Sequence, residues 1–167
     1  QRLNSSACPF LSYEFFKSLE QSGSASLERG WQAHHLILSD DNESSGFDND
    51  PSAMNNVEAI MPMYLKSHSW GEYVFDWDWA EAYQQNNLSY YPKLVATLPF
   101  TPVTSDKLLS NKFHQDQLFE VLSAHCQQQE INSWHILFCP QIAEAELPED
   151  VYQRHTVQFQ WLNKNYA

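Results

Sequence analysis

His68, Glu72 and Asp76 follow one another at intervals of four residues within YLKSHSWGEYVFDWDWAEAY, Tyr64 to Tyr83. Lys66 precedes them, and Trp70, Trp77 and Trp79 lie among them. An imidazole or carboxylate held in a cleft can take a proton from an attacking amine. A lysine beside it can hold a carboxylate, a phosphate or a developing oxyanion. On this reading Glu72, Asp76 and His68 are candidate catalytic residues, and Lys66, Trp70, Trp77, Tyr91 and Lys93 are candidate substrate-binding residues lining one cleft. The competing, structural reading has Glu72 and Asp76 capping turns and pairing with Lys66, Lys93 or Arg154 while the aromatic rings pack a core. An unpaired buried charge costs several kcal/mol, and a surface segment rarely gathers so many tryptophans. A wall that is apolar on one side and charged on the other satisfies both constraints.

Other constellations carry less chemistry. On a helix, the four-residue spacing would align His68, Glu72 and Asp76 as metal ligands, but Gly71 and the Tyr73, Val74, Phe75 run favour extended chain, so no metal is expected. His34 and His35 are adjacent in a strand and face opposite sides of a sheet, which prevents them from forming one site. His135 alternates with Ile136 in a buried strand and is expected to be a hydrogen-bonded core histidine. Cys8, Cys126 and Cys139 are odd in number, widely spaced and lack a CxxC pair, which suits free thiols in a reducing compartment. The local sequence gives Cys139 no basic neighbour, so it is expected to be buried and inert.

The elements that must position these residues come from one domain: 167 residues with 43% hydrophobic content suit a single core. The formal charge of -12 repels phosphate backbones and anionic lipid, so neither nucleic acid nor a membrane surface is an expected partner. The chain shows no membrane-span-length apolar run and no basic-then-apolar opening, which points to the cytoplasm. Ser12 as N-cap, Glu14 in the first turn and Leu11, Phe15 and Leu19 in helical spacing predict a helix from about Ser12 to Gln21. A second helix is predicted over about Lys112 to Gln129, with Leu118, Leu122 and Cys126 on one face, and a short one over Trp77 to Asn86. Strands are predicted at Ala33 to Ser39, Ala59 to Leu65, Leu94 to Phe100, Ser133 to Phe138 and Thr156 to Trp161. Residues 40–57, rich in acids and carrying Gly46 and Pro51, read as a mobile loop. The order is that of an α/β fold, a mixed central sheet flanked by helices.

The blocks CPFLSYEFFKSLEQSG, YLKSHSWGEYVFDWDWAEAY, YYPKLVATLPFTPVT, WHILF and QFQWLNKNYA, in this order, resemble the Fem-type (FemAB-like) N-acyltransferases of the GNAT superfamily. The resemblance covers nearly the whole chain. It implies a bacterial protein of two GNAT-like halves, of which this chain resembles the first. The expected partners are the C-terminal half of the same protein and a small-molecule or peptide amine acceptor. Acyl-CoA or aminoacyl-tRNA is the implied donor of the whole protein. GNAT enzymes hold the donor pyrophosphate on backbone N–H groups of a glycine-containing loop. The equivalent stretch here, FTPVTSDKLLSNK, has no glycine and two prolines in or just before it, so no cofactor is expected to be bound by this piece. The aromatic strand that commonly reads QFHW in the family reads Gln158, Phe159, Gln160, Trp161 here, so a role resting on that histidine does not carry over.

Two functions follow as expectations. In one, the chain is the N-terminal half of an N-acyltransferase moving an acyl or aminoacyl group to an amine, and it contributes acceptor-cleft residues. In the other, it is a GNAT-like binding or docking module without chemistry of its own. The glycine-free loop favours the second for this piece alone.

Overall fold

The computed structural model describes residues 8–39, 57–110, 115–140 and 147–155, with positions 157, 162 and 164. Helix α1, Tyr13–Gln21, starts where the sequence places it: the Ser12 hydroxyl accepts a hydrogen bond from the Phe15 N–H at 3.3 Å. It buries Phe16 against the sheet. Helix α2 spans Trp77–Gln85 and follows Asp76 directly. Helix α3, Gln115–Gln128, turns Leu118, Phe119, Leu122 and Cys126 inward, the face expected from their spacing. Residue 112, where this helix was predicted to begin, lies outside the described residues.

The strands are β1 Trp31–Ala33, β2 Leu36–Ser39, β3 Val57–Met61, β4 Tyr64–Lys66, β5 Lys93–Ala96, β6 Leu109–Ser110 and β7 Trp134–Ile136. They form two sheets rather than the single central sheet expected. The first has the order β1-β4-β5-β7, antiparallel except for the parallel β5–β7 pair; the second is the antiparallel set β2-β3-β6. Each of the two strands predicted at Ala33 to Ser39 and Ala59 to Leu65 is therefore broken in the middle. The physical cause is Pro62, which has no N–H to give a ladder. The chains stay together across the break through the His34 N–H to the Met63 carbonyl, 2.9 Å, and the Met63 N–H to His35 Nδ1, 3.1 Å.

Two apolar clusters lie on opposite faces of the first sheet. Met63, Leu94 and Ala96 pack on Leu118, Leu122 and Cys126 of α3. Trp31, Tyr64 and Leu98 pack with Leu11, Phe16 and Ala25 on the α1 side. His34 and His35 follow this division: His34 meets His125 of α3, Nε2 to Nε2 at 2.8 Å, and His35 meets Glu20 of α1 at 3.0 Å. Val57, assigned to the acidic loop in sequence, opens β3; residues 40–56 lie outside the described residues, as does the predicted strand from Thr156 to Trp161 apart from the exposed Val157.

Candidate functional site

Strand pairing sets the centre of the site. In the ladders Trp31 stands opposite Lys66, and Lys66 opposite Lys93, so the three side chains form one row across β1, β4 and β5. Strand alternation then turns all three to the α1 side of the sheet. Lys66 is 0% and Lys93 1% exposed. Two like charges directly opposite one another oppose pairing, so the row needs anions above it.

The segment after β4 supplies them. It turns through Gly71 at φ +81° and Tyr73 at φ +59°, and the Gly71 carbonyl accepts from the Phe100 N–H at 3.2 Å. A Cβ on Gly71 would lie 2.7 Å from the Phe100 ring, so the turn has room for glycine only. Glu72 folds inward and Asp76 follows at the start of α2, both almost fully buried. The Lys93 ammonium donates to Glu72 Oε2 at 2.8 Å, to Ser69 Oγ at 2.8 Å and to Asp76 Oδ2. Asp76 Oδ2 also accepts from the Tyr90 hydroxyl at 2.7 Å, and Ser69 Oγ lies 2.8 Å from the Tyr91 hydroxyl. The second oxygens, Glu72 Oε1 and Asp76 Oδ1, have no hydrogen-bond partner among the described residues.

Lys66 is held differently. Its ammonium stands over the Trp31 ring, 3.4 Å from the centroid, and donates to the Trp70 carbonyl at 3.2 Å. Burial pushes this amine down to about 7, with the neighbouring Lys93 adding to the fall and Glu72 opposing it. Burial likewise raises the Glu72 carboxyl, against the pull of Lys93. Burial also acts to raise Asp76, but its hydrogen bonds, led by the one from Lys93, outweigh that and leave it below the usual value.

Outside this cluster runs a groove of about 620 Å³, with Trp31, Trp70 and Phe100 as apolar walls, Gly71 in its rim, and Arg29 and His68 as its ionisable residues. Among the described residues, none that line it is acidic. His68 Nδ1 accepts the Trp70 N–H at 3.2 Å. In a neutral imidazole that leaves the proton on Nε2, the ring nitrogen that lies beside Gly30.

The structure thus divides the sequence candidates into two places. Lys66, Glu72, Asp76, Lys93 and, through Ser69, Tyr91 gather in the buried cluster. His68 and Trp70 face the groove, and Trp77 lies 5.4 Å from Trp70, ring to ring, and is partly exposed. Lys93 is the partner that both carboxylates share, whereas Arg154 donates to the Phe75 carbonyl. Sequence reasoning did not find Arg29, Trp31, Ser69, Tyr90 or Phe100. Trp31 and Lys66 are far apart in sequence and meet only through the β1–β4 register, while Tyr90 directly precedes Tyr91, the one tyrosine of the YYPK stretch that sequence reasoning named.

Three further residues complete the account. His135 accepts or donates to Ser133 Oγ at 3.1 Å, packs on Tyr90, and is pushed down to about 4 by burial and by Lys93. It is hydrogen-bonded, as expected, but half-buried rather than in the core, as is all of β7. Cys139 is half-buried rather than buried, and Lys107 is the basic neighbour the local sequence lacks; strand and loop contacts, not chain proximity, bring them together. No group of three metal-ligating side chains is present among the described residues.

In the stretch equivalent to the family's donor loop, five N–H groups are committed within the chain. Those of Phe100, Thr101, Val103, Ser105 and Leu108 bond to Gly71, Leu98, Thr101, Phe138 and Asp106. Pro99 and Pro102 have none, and the short strand β6 follows rather than a helix. A pyrophosphate cradle uses free backbone N–H groups, and these five are already bonded.

A mixed α/β fold with mixed sheets between helices, a buried lysine–carboxylate cluster and an open aromatic groove defines the class of this protein. Compared with known families, the chain matches the FemAB-like family, described as peptidoglycan biosynthesis/recognition, over residues 1–167, and it belongs to that family. The family is of transferase type. No curated protein and no solved structure matches the chain. No helix among the described residues is long and apolar enough to cross a membrane.

Proposed function

We propose that this chain is the acceptor-side, GNAT-like half of a cytoplasmic N-acyltransferase that moves an acyl or aminoacyl group onto an amine. The groove beside Trp31, Trp70 and Phe100 receives the substrate. The His68 Nε2–H holds the carbonyl at which charge develops, and the Lys93 cluster holds the segment from Ser69 to Asp76 in place. The observation that carries this reading is the hydrogen bond from the Trp70 N–H to His68 Nδ1, which leaves Nε2 as the donor nitrogen of a residue that lines the groove. Glu72 and Asp76 act as positioning residues through Lys93, since neither reaches the groove. The donor, acyl-CoA or aminoacyl-tRNA, is held by the second half of the protein.

The test is single-turnover transfer to amine acceptors by the full-length protein, with both donor classes. Losing an oxyanion donor slows such reactions by roughly 10²–10³. His68→Phe should lower the transfer rate by that order while the melting temperature stays within a few degrees. An unchanged rate removes His68 from the chemistry.

A second reading, a binding module without chemistry, is favoured by the committed N–H groups after Phe100. Calorimetry of this chain with coenzyme A at millimolar concentration should show no binding under either reading. Transfer in the full-length protein decides between them.

A further inference from the structure

We propose that the groove selects the carboxylate end of an N-acylated amino acid or peptide with an apolar side chain. This deepens the reading above, since such a molecule is the product that acyl transfer onto an amino acid's amine leaves in the groove. Three features of the groove meet three groups of such a ligand.

The first is charge. The chain carries a net -12, yet among the described residues the groove is lined by Arg29 and by no acid. Arg29 is exposed, and among the described residues it forms no ion pair. A guanidinium free of carboxylates inside an acidic protein selects an anion, and its planar fork matches a carboxylate. The buried Lys66 ammonium, on the Trp31 ring, adds to the attraction when protonated.

The second is the donor at His68, whose Nε2–H suits a neutral amide carbonyl. Gly30 makes room for that ring: it sits at φ +71°, and a Cβ there would collide with the imidazole at Nε2. The third is the apolar wall. Trp70 is 68% and Phe100 41% exposed, large rings left uncovered beside the two polar groups. Their surface is of the kind that an aromatic or aliphatic side chain covers.

The experiment is calorimetric titration of this chain, the same 167 residues, with N-acetyl-phenylalanine, N-acetyl-phenylalaninamide and phenyl phosphate. It reads binding and not transfer, so it fails or succeeds separately from the catalytic reading. A charge-assisted hydrogen bond supports a preference of about tenfold or more for the acid over the amide. Arg29→Gln, at an exposed position, should abolish that preference, and Trp70→Ala should weaken both ligands alike. Lys17→Gln, on the exposed face of α1, should change neither. Equal binding of acid and amide, binding of neither, or a preference that survives Arg29→Gln overturns the proposal. Tighter binding of phenyl phosphate than of the acid reassigns the groove to phosphate esters and overturns the carboxylate.

Discussion

Lys66 and Lys93 stand directly opposite each other in the β4–β5 ladder, and neither is accessible to solvent. They are neutralised unequally. Lys93 has two carboxylates within hydrogen-bond distance, whereas Lys66 has a ring face and a carbonyl and feels Glu72 only through space. Breaking a buried ion pair leaves a bare charge, while removing a whole set together is far less damaging. The cluster should obey that asymmetry.

Lys93→Met should therefore destabilise the domain by about 3–5 kcal/mol, because Glu72 and Asp76 remain buried without a cation. The triple substitution Lys93→Met, Glu72→Gln, Asp76→Asn should recover most of the loss. Urea unfolding followed by circular dichroism measures both. From sequence, Glu72→Gln and Asp76→Asn are expected to leave the melting temperature nearly intact; the burial of both acids revises this to a measurable drop, smaller than that of Lys93→Met. A Lys93→Met protein within 1 kcal/mol of the parent, the upper range for an exposed pair, would mean that water reaches the cluster.

Lys66 gives the fold a pH dependence of known sign. Its amine titrates near 7 when folded and at its ordinary value of 10.5 when unfolded, so between these the unfolded chain binds more protons. Stability should rise from about pH 7 toward pH 10, with Lys107, lowered to about 8, contributing in the same direction. Lys66→Met should flatten the rise in part, since Lys107 remains. Urea midpoints across this range check it, and an identical slope in the variant would show that Lys66 is charged throughout.

The difference between these lysines was not legible in sequence, and its cause is instructive. Helix α1 announced itself through Ser12 and the spacing of Phe15 and Leu19, because capping and helical periodicity are local. The partition of the Tyr64 to Tyr83 segment is not local. Lys66 and Lys93 are brought together by register, and Glu72 is turned inward by two left-handed residues, one of them the non-glycine Tyr73. The residue types were enough to mark the segment as mixed and to name Lys93 as a partner of the acids. They could not say that the charges lie inside and Trp70, Tyr73 and Phe75 outside.

His135 should act in the acid range. Burial and Lys93 hold its imidazole neutral down to about pH 4, whereas unfolded histidine protonates at its ordinary value of 6.5. Over that window the unfolded chain binds the extra proton, so stability falls as pH drops from 6.5 toward 4. His135→Gln should remove this part of the slope while leaving stability near pH 8 changed only by altered packing. The test is the difference between the two proteins' pH profiles; parallel profiles would place the charged imidazole comfortably in the fold.

Gly30 separates backbone strain from the shape of the groove, and Gly23 is its control. Both have φ near +70°, where an alanine is strained, so each substitution should cost about 1 kcal/mol. They differ in what a methyl group would meet. Nothing lies within 4 Å of a Cβ at Gly23, whereas one at Gly30 runs into the His68 imidazole and the Ser67 hydroxyl. Gly23→Ala should then lower stability and leave binding of N-acetyl-phenylalanine alone. Gly30→Ala should lower stability further and displace His68, with a loss of affinity for both N-acetyl-phenylalanine and its amide, because the shared carbonyl contact is lost. Calorimetry and thermal unfolding of the two variants in parallel make the comparison. If Gly30→Ala and Gly23→Ala behave alike, the His68 ring yields to the methyl group without consequence, and its Nε2–H does not position a ligand.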